Sequence, residues 1–214
     1  MDVWKCDLVD IHALSKFNNS YKYLLTAIDV FSKFLHIVPL KSKTGPAVTS
    51  AFQSILKDPK YSTPLRKRPI WVRTDKGKEF LNKNFQDMLK REGIQFQVCR
   101  NPDVKSSVDE RAQRTIQDRL YKYFTYKNTY RYIDVLPQFV EAYNDTVHST
   151  IRIAPSKVTD SDILAIWRKT KKNRHVRSAR AKFHMGQHVG ISREKMKFAK
   201  GAEQNYSLEI FRIN

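Results

Sequence analysis

The sequence VWKCDLVDI occupies residues 3–11 and is rich in β-branched and apolar side chains, which predicts a first β-strand. Asp7 lies inside this strand, where burial of a carboxylate is costly unless a cation or hydrogen bonds compensate it. Two further strand-like segments, 23–30 and 34–40, follow across short turns. Three strands in immediate succession predict an antiparallel meander.

Helical and strand patterns alternate after the meander. The predicted elements are a helix at 47–56, a strand at 70–74, a helix closed by Gly93, a strand at 94–99, and two amphipathic helices at about 108–125 and 132–147. This order predicts an α/β fold, a mixed five-stranded sheet with helices on both faces.

Charge and composition narrow the class of protein. The chain has 40 Lys and Arg against 21 Asp and Glu, a net charge of +19, which favours a polyanionic partner such as nucleic acid. Hydrophobic residues make up 41%, enough for a core, so disorder of the whole chain is excluded. No apolar run is long enough for a membrane span, and two cysteines give neither a disulfide framework nor zinc spacing. We therefore expect an intracellular protein with no membrane partner.

The excess charge is concentrated near the C-terminus. Residues 168–200 hold 12 basic residues and one acidic residue, and 168–182 holds eight basic residues without an acid, which predicts a solvated linker or arm. Residues 183–214 combine a turn glycine with alternating apolar positions, which predicts a small β module. We expect this module to be incomplete, because its last strand-like pattern reaches Asn214. The predicted organisation is a core at 1–167, the linker and the module.

Three acidic residues are candidates for catalysis. Asp7 lies within the first strand, Asp75 ends the strand IWVRT, and Glu110 opens the long helix. Cleavage of a phosphodiester commonly uses two Mg²⁺ ions about 3.5–4 Å apart, held mainly by carboxylates. Asp10 is an alternative to Asp7, and Asp109 is an alternative to Glu110.

Helical geometry predicts where the third acid points. On a regular helix Glu110 shares a face with Arg114, Gln117 and Tyr121. The apolar residues lie on the other side of that helix: Ala112, Ile116, Leu120 and Tyr123. We therefore expect Glu110 to face away from the core.

Several motifs around these acids resemble the catalytic core of retroviral-type integrases, which belong to the ribonuclease-H-like superfamily with a D,D,E triad. They are WKCDLVD, YLLTAIDVFSKF, WVRTDKGKEF, NPDVKSSVDER and YNDTVHSTIRIAPSKV, in this order. Thirty-four residues separate Asp75 from Glu110, similar to the spacing in that family. The likeness is greatest to integrases of Polinton/Maverick transposons, and FHMGQHVGIS is weakly similar to their small SH3-like or chromo-like barrel.

The resemblance implies an activity and a set of partners. Asp7, Asp75 and Glu110 would hold two Mg²⁺ (or Mn²⁺) ions, and the protein would process the 3′ ends of mobile-element DNA and join them to target DNA. Transposon ends, target DNA, further copies of the chain and a nuclear location follow as expectations. Asp109 departs from the family pattern, in which this position is usually apolar, and is expected to disturb helix packing or the metal site.

Basic residues near the acids and in the linker are predicted to contact DNA phosphates. Around the acids they are Lys76, Lys78, Lys105, Arg111 and Arg114, and in the linker they are Lys171, Lys172, Arg174 and Arg177. Such binding should weaken steeply with salt. The linker is also a candidate nuclear-import signal.

Two alternatives to an active integrase stay open. One is a domesticated or inactive relic that binds DNA without cutting it, which Asp109 and the incomplete module favour. The other is a ribonuclease-H-type nuclease, which would cleave RNA in hybrids and join no DNA ends.

Overall fold

The computed structural model describes residues 3–58, 68–99, 107–172, 183–192 and 206–213. The chain divides into two compact units, Met1–Thr170 and Lys171–Asn214. The helices and strands, in chain order, are β1 (Val3–Asp10), β2 (Tyr23–Asp29), β3 (Leu35–Leu40), α1 (Gly45–Lys57), β4 (Trp71–Thr74), α2 (Lys83–Arg91), β5 (Gln95–Val98), α3 (Ser107–Lys127), α4 (Leu136–Asp145), α5 (Ile163–Lys172), β6 (His188–Ser192) and β7 (Tyr206–Arg212). Short 3-10 helices occupy His12–Phe17, Pro155–Lys157 and Asp160–Asp162. Among the described residues, no helix combines the length and apolar character needed to cross a bilayer.

The first unit is built on a five-stranded sheet with the order β3-β2-β1-β4-β5. Strands β1, β2 and β3 pair in antiparallel fashion, whereas β4 runs parallel to both β1 and β5. Residues 11–22, which include the 3-10 helix His12–Phe17, connect β1 to β2, and a short turn connects β2 to β3. In this turn, Asp29 Oδ1 accepts a hydrogen bond from the Phe31 N–H at 2.9 Å. The predicted mixed five-stranded sheet is confirmed.

Each face of the sheet carries its own hydrophobic core, because successive side chains of a strand point to opposite faces. On one face, Trp4 and Cys6 of β1 pack with residues of α1 and α2, among them Phe52 and Phe85. On the other face, α3 and α4 cover β2 and β3 through a second cluster: Leu24, Ile28, Leu35, Ala112, Ile116, Leu120, Phe124, Tyr132, Leu136 and Tyr143. Helices therefore cover both faces, as predicted.

Strand β3 forms one edge of the sheet, and the end of α4 is fixed to it by a buried amide. Asn144 Oδ1 accepts a hydrogen bond from the Leu35 N–H at 2.9 Å, and Asn144 Nδ2 donates to the Leu35 carbonyl at 2.9 Å. The amide thus pairs with both backbone groups of Leu35, as a neighbouring strand would. Further along β3, Pro39 has no N–H to donate.

Two helices differ from the sequence-based prediction. Helix α4 begins at Leu136, four residues later than predicted, and Pro137 occupies its first turn, where a missing N–H costs nothing. Helix α5 was not predicted, and it extends to Lys172, into the segment predicted as a linker. It forms because Ile166 is buried and because Lys and Arg are good helix formers despite their charge.

The second unit contains a small antiparallel sheet of β6 and β7. Gly186 provides the predicted turn with a φ of +85°, a conformation that favours glycine. Its N–H donates to the Ile213 carbonyl at 2.8 Å, which ties the turn to the chain after β7. The additional small C-terminal sheet is therefore present, and its assignment to a barrel type stays a prediction.

Candidate active site

The sheet register brings the first two candidate acids to neighbouring positions. Strands β1 and β4 are parallel, with Lys5 opposite Arg73. Continuing this register by two residues places Asp7 opposite Asp75, directly after the carboxyl end of β4. Asp7 is half-buried and Asp75 is exposed. By this extension of the register, two carboxylates far apart in the sequence fall at the same end of the parallel strands.

Hydrogen bonds orient the Asp7 carboxylate. Its Oδ1 accepts from the Leu8 N–H at 2.8 Å, and its Oδ2 accepts from Gln113 Nε2 at 3.0 Å. Gln113 also donates to Thr26 Oγ1 at 3.2 Å, so this side chain of α3 reaches both β1 and β2. Each carboxylate oxygen keeps a second lone pair for another partner.

A tight turn orients the Asp75 carboxylate. Asp75 Oδ1 accepts from the Gly77 N–H at 3.0 Å. A Cβ atom on Gly77 would lie 2.7 Å from the Glu79 carboxyl group and 3.0 Å from Asp75 Oδ1. The absence of a side chain at this position therefore lets a second carboxylate, that of Glu79, approach Asp75.

Glu110 lies in the first turn of α3 and faces solvent, as predicted. Arg114, Gln117 and Tyr121 on the same side of the helix are exposed as well. The opposite side is buried at Ala112, Ile116 and Leu120. Since Gln113, one turn after Glu110, touches Asp7, the third acid belongs to the helix that borders the first.

Asp109 is accommodated without the expected disturbance of helix packing. Its Oδ2 lies 2.7 Å from Lys5 Nζ in an ion pair whose side chains are 4% and 10% exposed. Its neighbour Glu110 is exposed, so the two adjacent acids point into different environments. Burial raises the pKa of the Cys6 thiol, and the charges of Asp7 and then Asp109 raise that pKa further.

Among the described residues, the sheet surface next to Asp7 carries exposed side chains. On the face of the sheet that carries Asp7, Trp71 and Arg73 of β4 and Gln97 of β5 are exposed. Arg73 Nε donates to Gln97 Oε1 at 2.7 Å, which keeps the two side chains extended along this surface. Within the described residues, these side chains form an exposed surface on the face of the sheet that carries Asp7.

The donor set suits a hard divalent cation, because it consists of carboxylate oxygens. Asp7 and Asp75 each follow the paired residues Lys5 and Arg73 by two positions. Within the part of the chain that the structure describes, no three His, Cys, Asp or Glu side chains are close enough to hold one metal ion. Asp7 and Asp75 thus follow paired positions of β1 and β4, Glu110 lies on the bordering helix, and the assignment of the three acids as ligands stays a prediction.

The predicted DNA-binding residues fall into three groups. The side chains that the structure describes are all exposed: Lys76, Lys78, Arg111 and Arg114. Lys171 and Lys172 are in the last turn of α5, and their side chains are outside the described residues. Lys105, Arg174 and Arg177 lie outside the described residues altogether.

Sequence reasoning did not single out four residues that shape the site. Lys5 and Thr26 occur within strands, Glu79 follows the second acid by four residues, and Gln113 follows Glu110 by three. A lysine in a strand that is otherwise apolar was the available signal for Lys5. For Gln113 the signal was its place one helical turn after the third acid.

This sheet order, with helices on both faces, is that of the ribonuclease-H-like fold. Residues 1–103 match the family model of the integrase core domain. The matched residues contain all five strands of the sheet, so this part of the chain is similar to integrase core domains.

Relatives and a solved structure agree with this assignment. A transposon-derived protein of Caenorhabditis elegans is 33% identical over 199 residues, which cover 93% of this chain and 65% of that protein. The Pol polyprotein of Radiation murine leukemia virus (strain Kaplan) is 30% identical over 120 residues, which cover 55% of this chain and 19% of the polyprotein. This chain thus spans less than two thirds of either relative.

The fold is also similar to the catalytic core domain of HTLV-2 integrase in complex with magnesium (trimeric form). The TM-score is 0.57 at 21% identity, covering 73% of this chain and 95% of that one. This likeness confirms the predicted ribonuclease-H-like fold. The finer likeness to Polinton/Maverick integrases stays a prediction.

Proposed function

We propose that this chain is a divalent-metal-dependent polynucleotidyl transferase that processes the 3′ ends of mobile-element DNA and joins them to target DNA. The observation that supports the proposal is the parallel register of β1 and β4, with Lys5 opposite Arg73 two residues before Asp7 and Asp75, in a segment that matches the integrase core domain model. Among the described residues, Arg73 of β4 and Gln97 of β5 are exposed on the same face of the sheet, where DNA would lie.

Asp7, Asp75 and Glu110 would hold two Mg²⁺ or Mn²⁺ ions. Bound there, such ions supply charge neutralisation at the phosphate and activation of the attacking oxygen. The presence of magnesium in the HTLV-2 core, which has the same fold, supports this choice of metal.

The residues of the chain would orient the reacting groups. Gln113 and the Leu8 N–H hold the Asp7 carboxylate, and the Gly77 N–H holds that of Asp75. In the first step a water oxygen bonds to phosphorus, and the bond from phosphorus to the 3′ oxygen breaks. In the second step that 3′ hydroxyl oxygen bonds to a phosphorus of the target, the bond from this phosphorus to the target 3′ oxygen breaks, and the target 3′ hydroxyl leaves with the proton. No covalent link to the protein is needed.

Basic side chains would place the DNA across this face. Lys76 and Lys78 flank Asp75, and Arg111 and Arg114 flank Glu110, all of them exposed. As phosphate contacts they position DNA and do not read its sequence. Further contacts by Lys105 and by the basic segment 168–182, association with other copies and a nuclear location are part of the same proposal.

A strand-transfer assay tests the function. The variants Asp7→Asn and Asp75→Asn should each lose at least about 1000-fold in joining of DNA ends, because the metal-held charge stabilises the transition state by several kcal/mol. The matched control is Asp10→Asn, since Asp10 is an exposed acid at the end of β1 whose Oδ1 accepts from the His12 N–H; its activity should stay near that of the wild type.

Other outcomes would replace the proposal. Equal joining by the wild type and Asp75→Asn, or no joining by either, removes the transferase assignment and leaves a DNA-binding relic. Cleavage of RNA in RNA–DNA hybrids without joining of DNA ends would identify a ribonuclease-H-type nuclease.

A further inference from the structure

A buried ion pair joins the strand and the helix that carry the first and third acids. Lys5 Nζ and Asp109 Oδ2 are 2.7 Å apart, and the two side chains are 10% and 4% exposed. Lys5 precedes Asp7 by two residues and shares its face of β1. Asp109 directly precedes Glu110 in α3. The pair therefore connects the two backbone segments whose separation determines how far Glu110 lies from Asp7.

Apolar packing holds the later turns of α3 more firmly than the first. Ala112, Ile116 and Leu120 are buried in the second core, whereas the described apolar side chain of the first turn, Val108, is only partly buried. The polar side chains Asp109 and Gln113, one turn apart, contact β1 in this region. The position of the first turn against β1 thus depends chiefly on polar contacts.

Stability alone does not account for an ion pair at this place. Both charges lose their hydration on burial, and replacing a buried pair by apolar residues of similar volume is often neutral or stabilising. An ion pair differs from an apolar contact in requiring a particular distance and direction between its partners. Its contribution here is therefore a fixed geometry between β1 and α3.

We propose that Lys5 and Asp109 are positioning residues that set the distance of Glu110 from Asp7 and thereby the affinity of the acidic site for a divalent cation. The inference rests on the proposed function, because it assigns the pair to the same metal-binding acids. Lys5 also forms an ion pair with the Asp109 carboxylate, so Asp109 does not compete with the adjacent Glu110 for the cation.

The test is the double variant Lys5→Met/Asp109→Leu, with Arg68→Met/Glu92→Leu as the matched control. The control removes an ion pair of 2.6 Å whose side chains are 52% and 27% exposed and which joins the segment before β4 to the end of α2. We expect the double variant to keep its melting temperature, to bind Mg²⁺ roughly 10- to 100-fold more weakly by calorimetry, and to exchange the amide hydrogens of residues 108–112 faster. The control should change neither Mg²⁺ affinity nor exchange in α3.

The measurements separate failure of this inference from failure of the proposed function. Unchanged Mg²⁺ affinity and unchanged exchange in the double variant overturn the positioning role, even if the wild type is active. If the wild type neither binds Mg²⁺ nor joins DNA, the proposed function fails, and the role of the pair in setting metal affinity fails with it. Amide hydrogen exchange at residues 108–112 then shows only whether the ion pair fixes the first turn of α3. If the double variant does not fold, Lys5→Gln replaces it; a smaller loss of affinity supports the role, and an unchanged affinity overturns it.

Discussion

The two faces of strand β1 differ in kind although they alternate along the same eight residues. Trp4 and Cys6 point into an apolar core, where the Trp4 and Phe52 rings lie 6.3 Å apart in an edge-to-face arrangement. Lys5 and Asp7 point the other way, into an ion pair and a hydrogen-bonded site. One strand thus supplies stability on one side and chemistry on the other, so substitutions on the two sides should have separable effects.

The largest expected effect on stability is on the apolar side. Phe52 of α1 is fully buried, and truncating it to Ala removes packing from both Trp4 and Phe85. Phe52→Ala should lower the free energy of unfolding by about 3–5 kcal/mol, measured by urea denaturation. The protein that remains folded should bind Mg²⁺ like the wild type. A loss of Mg²⁺ affinity in that folded fraction would show that the two sides of β1 are coupled.

A smaller effect is expected on the polar side. Gln113→Leu keeps the size of the side chain but removes its hydrogen bonds to Asp7 and Thr26. Mg²⁺ affinity should fall by roughly 10-fold or more, because such supporting contacts orient the ligand, whereas unfolding should become easier by only about 1 kcal/mol. Calorimetry and denaturation check the two values. The control is Gln138→Leu, at an exposed position of α4, which should not change Mg²⁺ affinity. Equal Mg²⁺ affinity of the two variants would contradict the role of Gln113.

The smallest effect is the pH dependence of stability that His148 contributes. Burial lowers the pKa of His148 from its ordinary 6.5, and the positive charges of Lys33 and Arg111 lower it further. The folded protein therefore binds this proton less tightly than the unfolded chain, so the contribution of His148 is complete above pH 6.5 and is lost as pH falls through the lowered value. Between pH 7.5 and 5, the melting temperature should decline less in His148→Gln than in the wild type. Identical declines would contradict the contribution of His148 to the pH dependence of stability.

Periodic signals made most of the fold predictable. The alternation of β1 and the helical spacing of Ala112, Ile116 and Leu120 each depend on nearby residues, so the strands, α3 and its solvent-facing side followed from the sequence. Helix α5 did not, because its dense positive charge indicates a solvated segment, and the burial of Ile166 depends on tertiary packing.

The candidate site was predictable only in part, because its contacts join residues that are far apart in the chain. Asp7, Asp75 and Glu110 were recognisable as acids at the ends of regular elements. The partner of Lys5 lies 104 positions away in the chain, and the partner of Gln113 lies 106 positions away. Local pattern carries no information about such pairs, so Asp109 was expected to disturb the structure that it in fact joins to β1.

The amide of Asn144 has a consequence for the rim of the sheet. Because Leu35 bonds outward to Asn144, alternation directs the backbone groups of Ile37 and Pro39 outward as well. Leu35 is already occupied and Pro39 lacks a donor, so Ile37 alone among these three offers a complete donor and acceptor to an approaching strand. Sheet extension from one molecule into the next, the usual beginning of aggregation at an uncovered edge, is thereby blocked on this side by one asparagine and one proline.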